Sequence, residues 1–226
     1  MLLILLLKWW ETLAGKYAYV VICRIKRTYT DMNRTKSYAI PPNSPQEALY
    51  ETYHSYLNNS RMAITVKFGR GLLIDIHGHA HDIQQVELGY NVTGTALNMS
   101  DEDIINQNIA RSSSIYSLSK NNKQNKGFIE ILRGDNSFGT ILFANEVPCI
   151  PHKSNPAPGQ SPYFSGGYIT ETYGSGLSSG GSVDAIQMEF NSSARSSENR
   201  KKYAENVVKT IIRFLETNYN IIDKDS

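Results

Sequence analysis

The run Asp75-Ile76-His77-Gly78-His79-Ala80-His81 gathers three of the chain's five histidines. It follows Leu72-Leu73-Ile74, which reads as a buried strand. In open α/β sheets, ligands and reacting groups collect at the carboxyl ends of strands. Neutral imidazole is also the commonest side-chain metal ligand. His77, at the strand's exit, is therefore either a metal ligand or a hydrogen-bonded imidazole. On an extended chain His77, His79 and His81 would share one side. Gly78 breaks that regularity, so no three-histidine site is inferred. The spacing His79-x-x-Asp82 can bring two ligands together in one turn. His79, His81 and Asp82 are thus further candidate ligands.

A carboxylate stands in a second apolar strand, Asp184-Ala185-Ile186-Gln187-Met188-Glu189-Phe190. Glu189 shares a face with Gln187 and Ala185, opposite Ile186, Met188 and Phe190. Desolvation there raises a carboxyl pKa toward that of a general base. The alternative is a structural glutamate paired with Arg195. A metal histidine with a half-buried glutamate is the smallest set for metal-assisted hydrolysis. Asn33-Arg34 can grip a substrate carboxylate, the guanidinium bidentately and the amide as an added donor. It can equally be a solvated turn. Arg24 and Arg27 lie near enough in sequence to hold an oxyanion or to face water. No GxSxG elbow or phosphate loop occurs, and neither cysteine has a catalytic setting. His54 reads as structural on a helix, and His152 as exposed in a proline-rich loop.

These residues must be carried by an ordered frame. Residues 17–25 form a continuous aromatic and β-branched run and read as a buried strand. Pro45 can open a helix carrying Ala48, Leu49, Tyr53, Tyr56 and Leu57 on one stripe. Residues 62–67 and 72–76 read as two strands joined by Gly69-Arg70-Gly71. Asp101-Glu102-Asp103 should begin a helix running past Ile104, Ile105 and Ile109. Residues 112–127 read as a polar loop, 128–133 and 140–144 as short apolar pieces. Residues 148–162 read as an irregular loop and 173–182 as a mobile one. Ala204, Val207, Val208, Ile211, Ile212 and Leu215 mark an amphipathic closing helix. Strands alternating with helices predict an α/β sandwich.

The 226 residues are 40% hydrophobic, enough for one sizeable core, and read as a single domain spanning 1–226. A formal charge of +2 argues for neither nucleic acid nor an anionic membrane surface. Met1-Leu2-Leu3-Ile4-Leu5-Leu6-Leu7 is too short for a span of roughly 20 apolar residues. It also lacks the basic start of a signal peptide, and it is expected to pack on the core as a helix. Cys23 and Cys149 form no CxxC and read as two buried free thiols. The compartment stays open.

Taken in order, the pieces resemble one family. Arg24, Arg27 and Asp31-Met32-Asn33-Arg34 come first, then Tyr53-His54, the histidine run and Glu87-Leu88-Gly89-Tyr90. Tyr163-Phe164-Ser165-Gly166-Gly167-Tyr168, Ile186-Gln187-Met188-Glu189 and Arg195 follow. This succession resembles the N-formylglutamate amidohydrolase family, its uncharacterised eukaryotic branch more than the bacterial enzymes, over roughly residues 17–219. The resemblance implies a zinc-carboxypeptidase-like three-layer sandwich with a mixed sheet. It implies zinc-dependent hydrolysis of an N-acyl amino acid or a similar small carboxylate. His77 would be a zinc ligand and Glu189 the glutamate that activates water. Asn33 and Arg34 would hold the substrate carboxylate, with Arg27 and Arg195 beside them.

The family pattern opens with a strand ending in a Pro-His-Gly-Gly motif and then an acidic ligand. Here residues 1–15 hold no histidine, and Glu11 is their one acid. The first strand and two zinc ligands are therefore expected to be missing. Three outcomes follow. The chain is a truncated product, or an inactive relative that keeps the carboxylate cradle, or His79, His81 or Asp82 substitute.

Overall fold

The computed structural model describes residues 2–15 and 17–219. Four strands, β1 (Gly71–Gly78), β2 (Val86–Gly89), β3 (Cys149–Ile150) and β4 (Val183–Phe190), form one mixed sheet in the order β1-β4-β2-β3. β4 lies parallel to β1, with His77 opposite Glu189, and antiparallel to β2, with Glu87 opposite Glu189. Paired residues face the same side of a sheet. His77, Glu189 and Glu87 therefore form one row across three strands. The short strand β3 pairs with β2 in parallel.

The helices are α1 (Leu2–Ala14), α2 (Lys36–Ala39), α3 (Gln46–Phe68), α4 (Gly94–Leu97), α5 (Asp101–Asn106), α6 (Tyr116–Asn121), α7 (Phe128–Arg133), α8 (Phe138–Ala144), α9 (Tyr168–Tyr173) and α10 (Arg200–Asn218). Val86, Leu88, Ile186, Met188 and Phe190 supply the core face of the sheet. Leu6 of α1 and Ala204, Val207, Val208 and Phe214 of α10 pack into the same core. α3 and α9 pack against β1 and β4. The chain is thus an α/β protein, its mixed sheet flanked by helices. Met32, Ala39, Ile40 and Tyr50 form a second small cluster that seats the 31–34 turn on α3. Tyr50 also donates to the Arg34 carbonyl at 2.8 Å.

The expected helix at the amino end is present, with Leu5, Trp9 and Trp10 against the core. Met1 lies outside the described residues. Among the described residues no helix is long and apolar enough to cross a membrane. The closing helix carries the expected stripe.

Several expectations are corrected. Residues 17–25 are not a buried strand. They run without regular structure and without a ladder partner, and Tyr17, Tyr19, Ile22 and Ile25 are exposed. A β-prone composition describes a fit to a half-buried pleated surface, and no sheet receives this run. Residues 62–67 are the last turns of α3, which stops only at Gly69 (φ 78°). Ile64 there abuts Gly71, where a larger residue would collide with it. Short apolar runs do not separate helix from strand by periodicity alone.

Residues 112–127 contain α6 and buried Ser113, Ser114, Ile115 and Leu118. The serine hydroxyls are satisfied by the Tyr90 and Ala185 carbonyls, which hides their burial from a composition-based reading. Residues 128–133 and 138–144 are helical. The helix at Asp101 is shorter than expected and Ile109 opens a separate 3-10 turn. His152 is buried and stacks on Phe143. Both cysteines are free, but only Cys149 is buried.

Asp184 is the one acid on the core face of β4. It accepts from Leu118 N–H at 3.0 Å, Ser175 Oγ at 2.5 Å and Tyr219 OH at 3.0 Å. Burial pushes its carboxyl up to about 6, against the pull of those donors. An unfolded aspartate titrates near 3.9, so the folded state binds this proton more tightly. Its stabilising effect is full below about pH 4 and is lost as pH rises through about 6. Urea unfolding should therefore show a loss of about 3 kcal/mol between pH 4 and 7 from this group. Asp184→Asn should flatten that slope, and an unchanged slope would assign it elsewhere.

Candidate metal centre and adjoining cleft

β1 ends at Gly78, and the chain turns there because Arg195 lies across it. A Cβ on Gly78 would meet the guanidinium at 2.9 Å. Arg195 Nη2 donates to the His79 carbonyl at 2.7 Å and Nε to the Asn191 carbonyl at 3.3 Å. Its polar contacts are with the backbone of this turn rather than with Glu189. Arg195 positions the turn that follows β1.

That turn directs His79 and His81 toward Glu87 on β2. His81 Nδ1–H donates to Glu87 Oε1 at 2.7 Å, and His79 Nδ1 lies 3.8 Å from the same oxygen. The three ligand atoms lie within 4.8 Å of one another. Their side chains are 0%, 24% and 3% exposed for His79, His81 and Glu87, so access is from the His81 side.

Each ligand is held from behind. His79 Nε2–H donates to the Gln85 carbonyl at 2.8 Å, which leaves Nδ1 as the lone-pair nitrogen. In the metal-free cluster that lone pair accepts from His81 N–H at 3.1 Å, a bond that a metal at Nδ1 would have to replace. Glu87 Oε2 accepts from Phe164 N–H at 2.7 Å, freeing Oε1. The Phe164 ring stacks on His81 at 4.7 Å. Ligand orientation by outer hydrogen bonds is what metal sites require. The donor set fits a divalent ion: two imidazoles, one carboxylate, and a proton on His81 Nδ1 that metal binding would displace. His79, His81 and Glu87 can hold a metal ion.

Among the expected ligands, Asp82 is exposed and stands outside this cluster. Glu87 supplies the carboxylate in its place. Its signal was a lone acid between Val86 and Leu88 in an apolar strand, six positions after His81. His77 also stands outside the cluster. Its Nε2 lies 3.0 Å from Asp75 Oδ2 and 3.3 Å from Asn33 Nδ2. Burial pushes the imidazole down, but the hydrogen bond and charge of Asp75 outweigh it, with Glu189 adding, so its pKa is raised above 6.5.

Glu189 sits between His77 and Glu87 in the row, 7% exposed, with no ion-pair partner among the described residues. Desolvation raises its pKa above 4.5, helped by Glu87 and Asp75 and opposed by His77 and His79. A buried carboxylate beside a metal centre, with its proton affinity raised, can exchange a proton with a bound molecule.

Asn33 is buried and fixed. Its Oδ1 accepts from Ile169 N–H at 2.9 Å, which turns Nδ2 toward His77. Arg27 Nε binds Asp31 Oδ2 at 2.7 Å, and Arg34 lies 3.7 Å from the same oxygen. Asn33 and Arg34 line a cleft of about 770 Å³ together with Asp31, Tyr38, Tyr168 and Glu171. The segment Tyr163-Phe164-Ser165-Gly166-Gly167-Tyr168 joins cleft to metal centre. Tyr163 OH donates to the Leu88 carbonyl, and Asn91 N–H donates to the Ser165 carbonyl at 2.7 Å. Gly166, at φ 131°, passes so near Gly89 that a side chain on Gly89 would strike its backbone.

No family model matches this chain, and no curated protein or solved structure matches it either.

Proposed function

We propose that the chain is a metal-dependent amidohydrolase that holds zinc with His79, His81 and Glu87 and uses Glu189 as its general base. The observation that carries this is the convergence of three anchored ligand atoms one strand away from a desolvated carboxylate. Two imidazoles and a glutamate form the ligand set of hydrolytic zinc centres. A zinc ion held by His79, His81 and Glu87 would supply Lewis acidity toward an amide carbonyl. Glu189 can accept a proton at its carboxylate and return it to the leaving amine. Asn33 and Arg34 hold the carboxylate of an N-acyl amino acid or similar small substrate in the cleft. The His77–Asp75 pair flanks Glu189 and keeps that end of the row polar.

This reading retains the likeness to N-formylglutamate amidohydrolases and to a carboxypeptidase-like sandwich. It moves the metal from His77 to the neighbouring cluster. The test is zinc content per chain after dialysis, with release of free amino acid from N-acetyl amino acids before and after chelation. About one zinc and chelator-sensitive release are expected. Zinc retention without release would favour a non-catalytic carboxylate-binding relative. Failure to retain zinc would overturn the proposal.

A further inference from the structure

We infer that the cleft selects an N-acyl amino acid whose side chain is cationic, with the substrate carboxylate at Arg34 and the side-chain cation at Glu171. The inference rests on Arg34 as a carboxylate anchor and adds Glu171, which lines the same cleft.

The cleft has two charged walls. On one, Asp31 is already committed. It binds Arg27 at 2.7 Å, accepts from Asn33 N–H at 3.0 Å and lies 3.7 Å from Arg34 Nε. Arg34 keeps 63% of its side chain exposed, so the 31–34 turn presents a guanidinium to the cleft. The other wall is α9. There Glu171 lines the cleft, is exposed, and makes no ion pair among the described residues. No ion pair joins Arg34 to Glu171 either, so each wall presents its own charge.

Tyr38 and Tyr168 line the space with them. Phenol rings suit a cation better than an anion, because their faces carry negative charge. A ligand with one carboxylate and one cation therefore satisfies both walls. A second carboxylate, as in an N-acyl glutamate, would meet Glu171 as a like charge.

The test is isothermal titration of the full chain with N-acetyl-L-arginine, N-acetyl-L-glutamine and N-acetyl-L-glutamate. Arginine should bind about fivefold more tightly than glutamine, the size of one partly exposed ion pair, and glutamate more weakly than both. Glu171→Gln should erase the arginine preference, and Arg34→Ala should weaken all three ligands. Both side chains are exposed, so a thermal melt should confirm that the variants fold. The inference is overturned if no ligand binds, if glutamate binds as well as arginine, or if Glu171→Gln leaves the preference intact. The expected ranking without metal-dependent hydrolysis would remove the amidohydrolase reading and leave this one standing. Hydrolysis without the ranking would do the reverse.

Discussion

Glu87→Gln is expected to leave the dialysed chain with essentially no zinc, while the parent keeps about one equivalent. Hydrolytic zinc sites hold their ion with three protein ligands. Without the carboxylate only the two imidazoles remain, and the favourable charge is gone. Even outer-shell changes cost ten- to a hundredfold in metal affinity, so loss of a ligand should exceed about a hundredfold. The glutamine is chosen because it preserves the fold. Its carbonyl oxygen can still accept from Phe164 N–H, and its amide N–H can donate to His81 Nδ1 once the imidazole proton moves to Nε2. Inductively coupled plasma measurement of metal per chain reads the effect directly. A second readout is the melt: zinc should raise the parent's melting temperature and leave the variant's unchanged, because binding to the native state alone stabilises it. A Glu87→Gln chain that retains its zinc would place the ion elsewhere.

Glu189→Gln should have the opposite signature. Metal content and melting behaviour should stay close to the parent, and turnover should fall by about 10²–10⁴, the usual contribution of a positioned general base. The separation follows from the row. Glu189 lies one strand from Glu87 but is not among the clustered ligand atoms. Its raised proton affinity comes first from burial, and glutamine removes the proton acceptor at nearly constant volume. Unchanged turnover would show that Glu189 is a structural carboxylate, and loss of zinc would make it a ligand.

The parts of this protein written in local pattern were legible. β1 carries a continuous apolar run and β4 and α10 periodic signals, and the alternation in β4 put Glu189 on the face opposite Ile186, Met188 and Phe190. The gathering of histidines also pointed to the right turn. What escaped notice depends on tertiary placement. Glu87 meets His79 and His81 only because the turn after Gly78 folds back on β2, and Arg195, far along the chain, contacts that turn. His77 follows its strand as expected, yet Asp75 and Asn33 claim its Nε2. Residues 17–25 have the composition of a strand but pair with neither edge of the sheet. Ser113 and Ser114 look like loop residues and are core residues, because backbone carbonyls take their hydroxyls.

The position of β4 also sets an order of events in the cell. β1 and β2 are near neighbours in sequence, but they do not touch as a ladder, since β4 lies between them. During synthesis the ribosome releases His79, His81 and Glu87 long before Glu189, Phe164 or Arg195. A nascent chain therefore exposes the three candidate ligands before the Phe164 and Arg195 contacts that help to aim them. The centre closes only when the late strand inserts between two early ones, a non-local step of the kind that slows folding. Metal binding by the proposed centre would then wait on completion of the sheet, and a chain stalled before residue 183 would offer its candidate ligands without the frame that holds them.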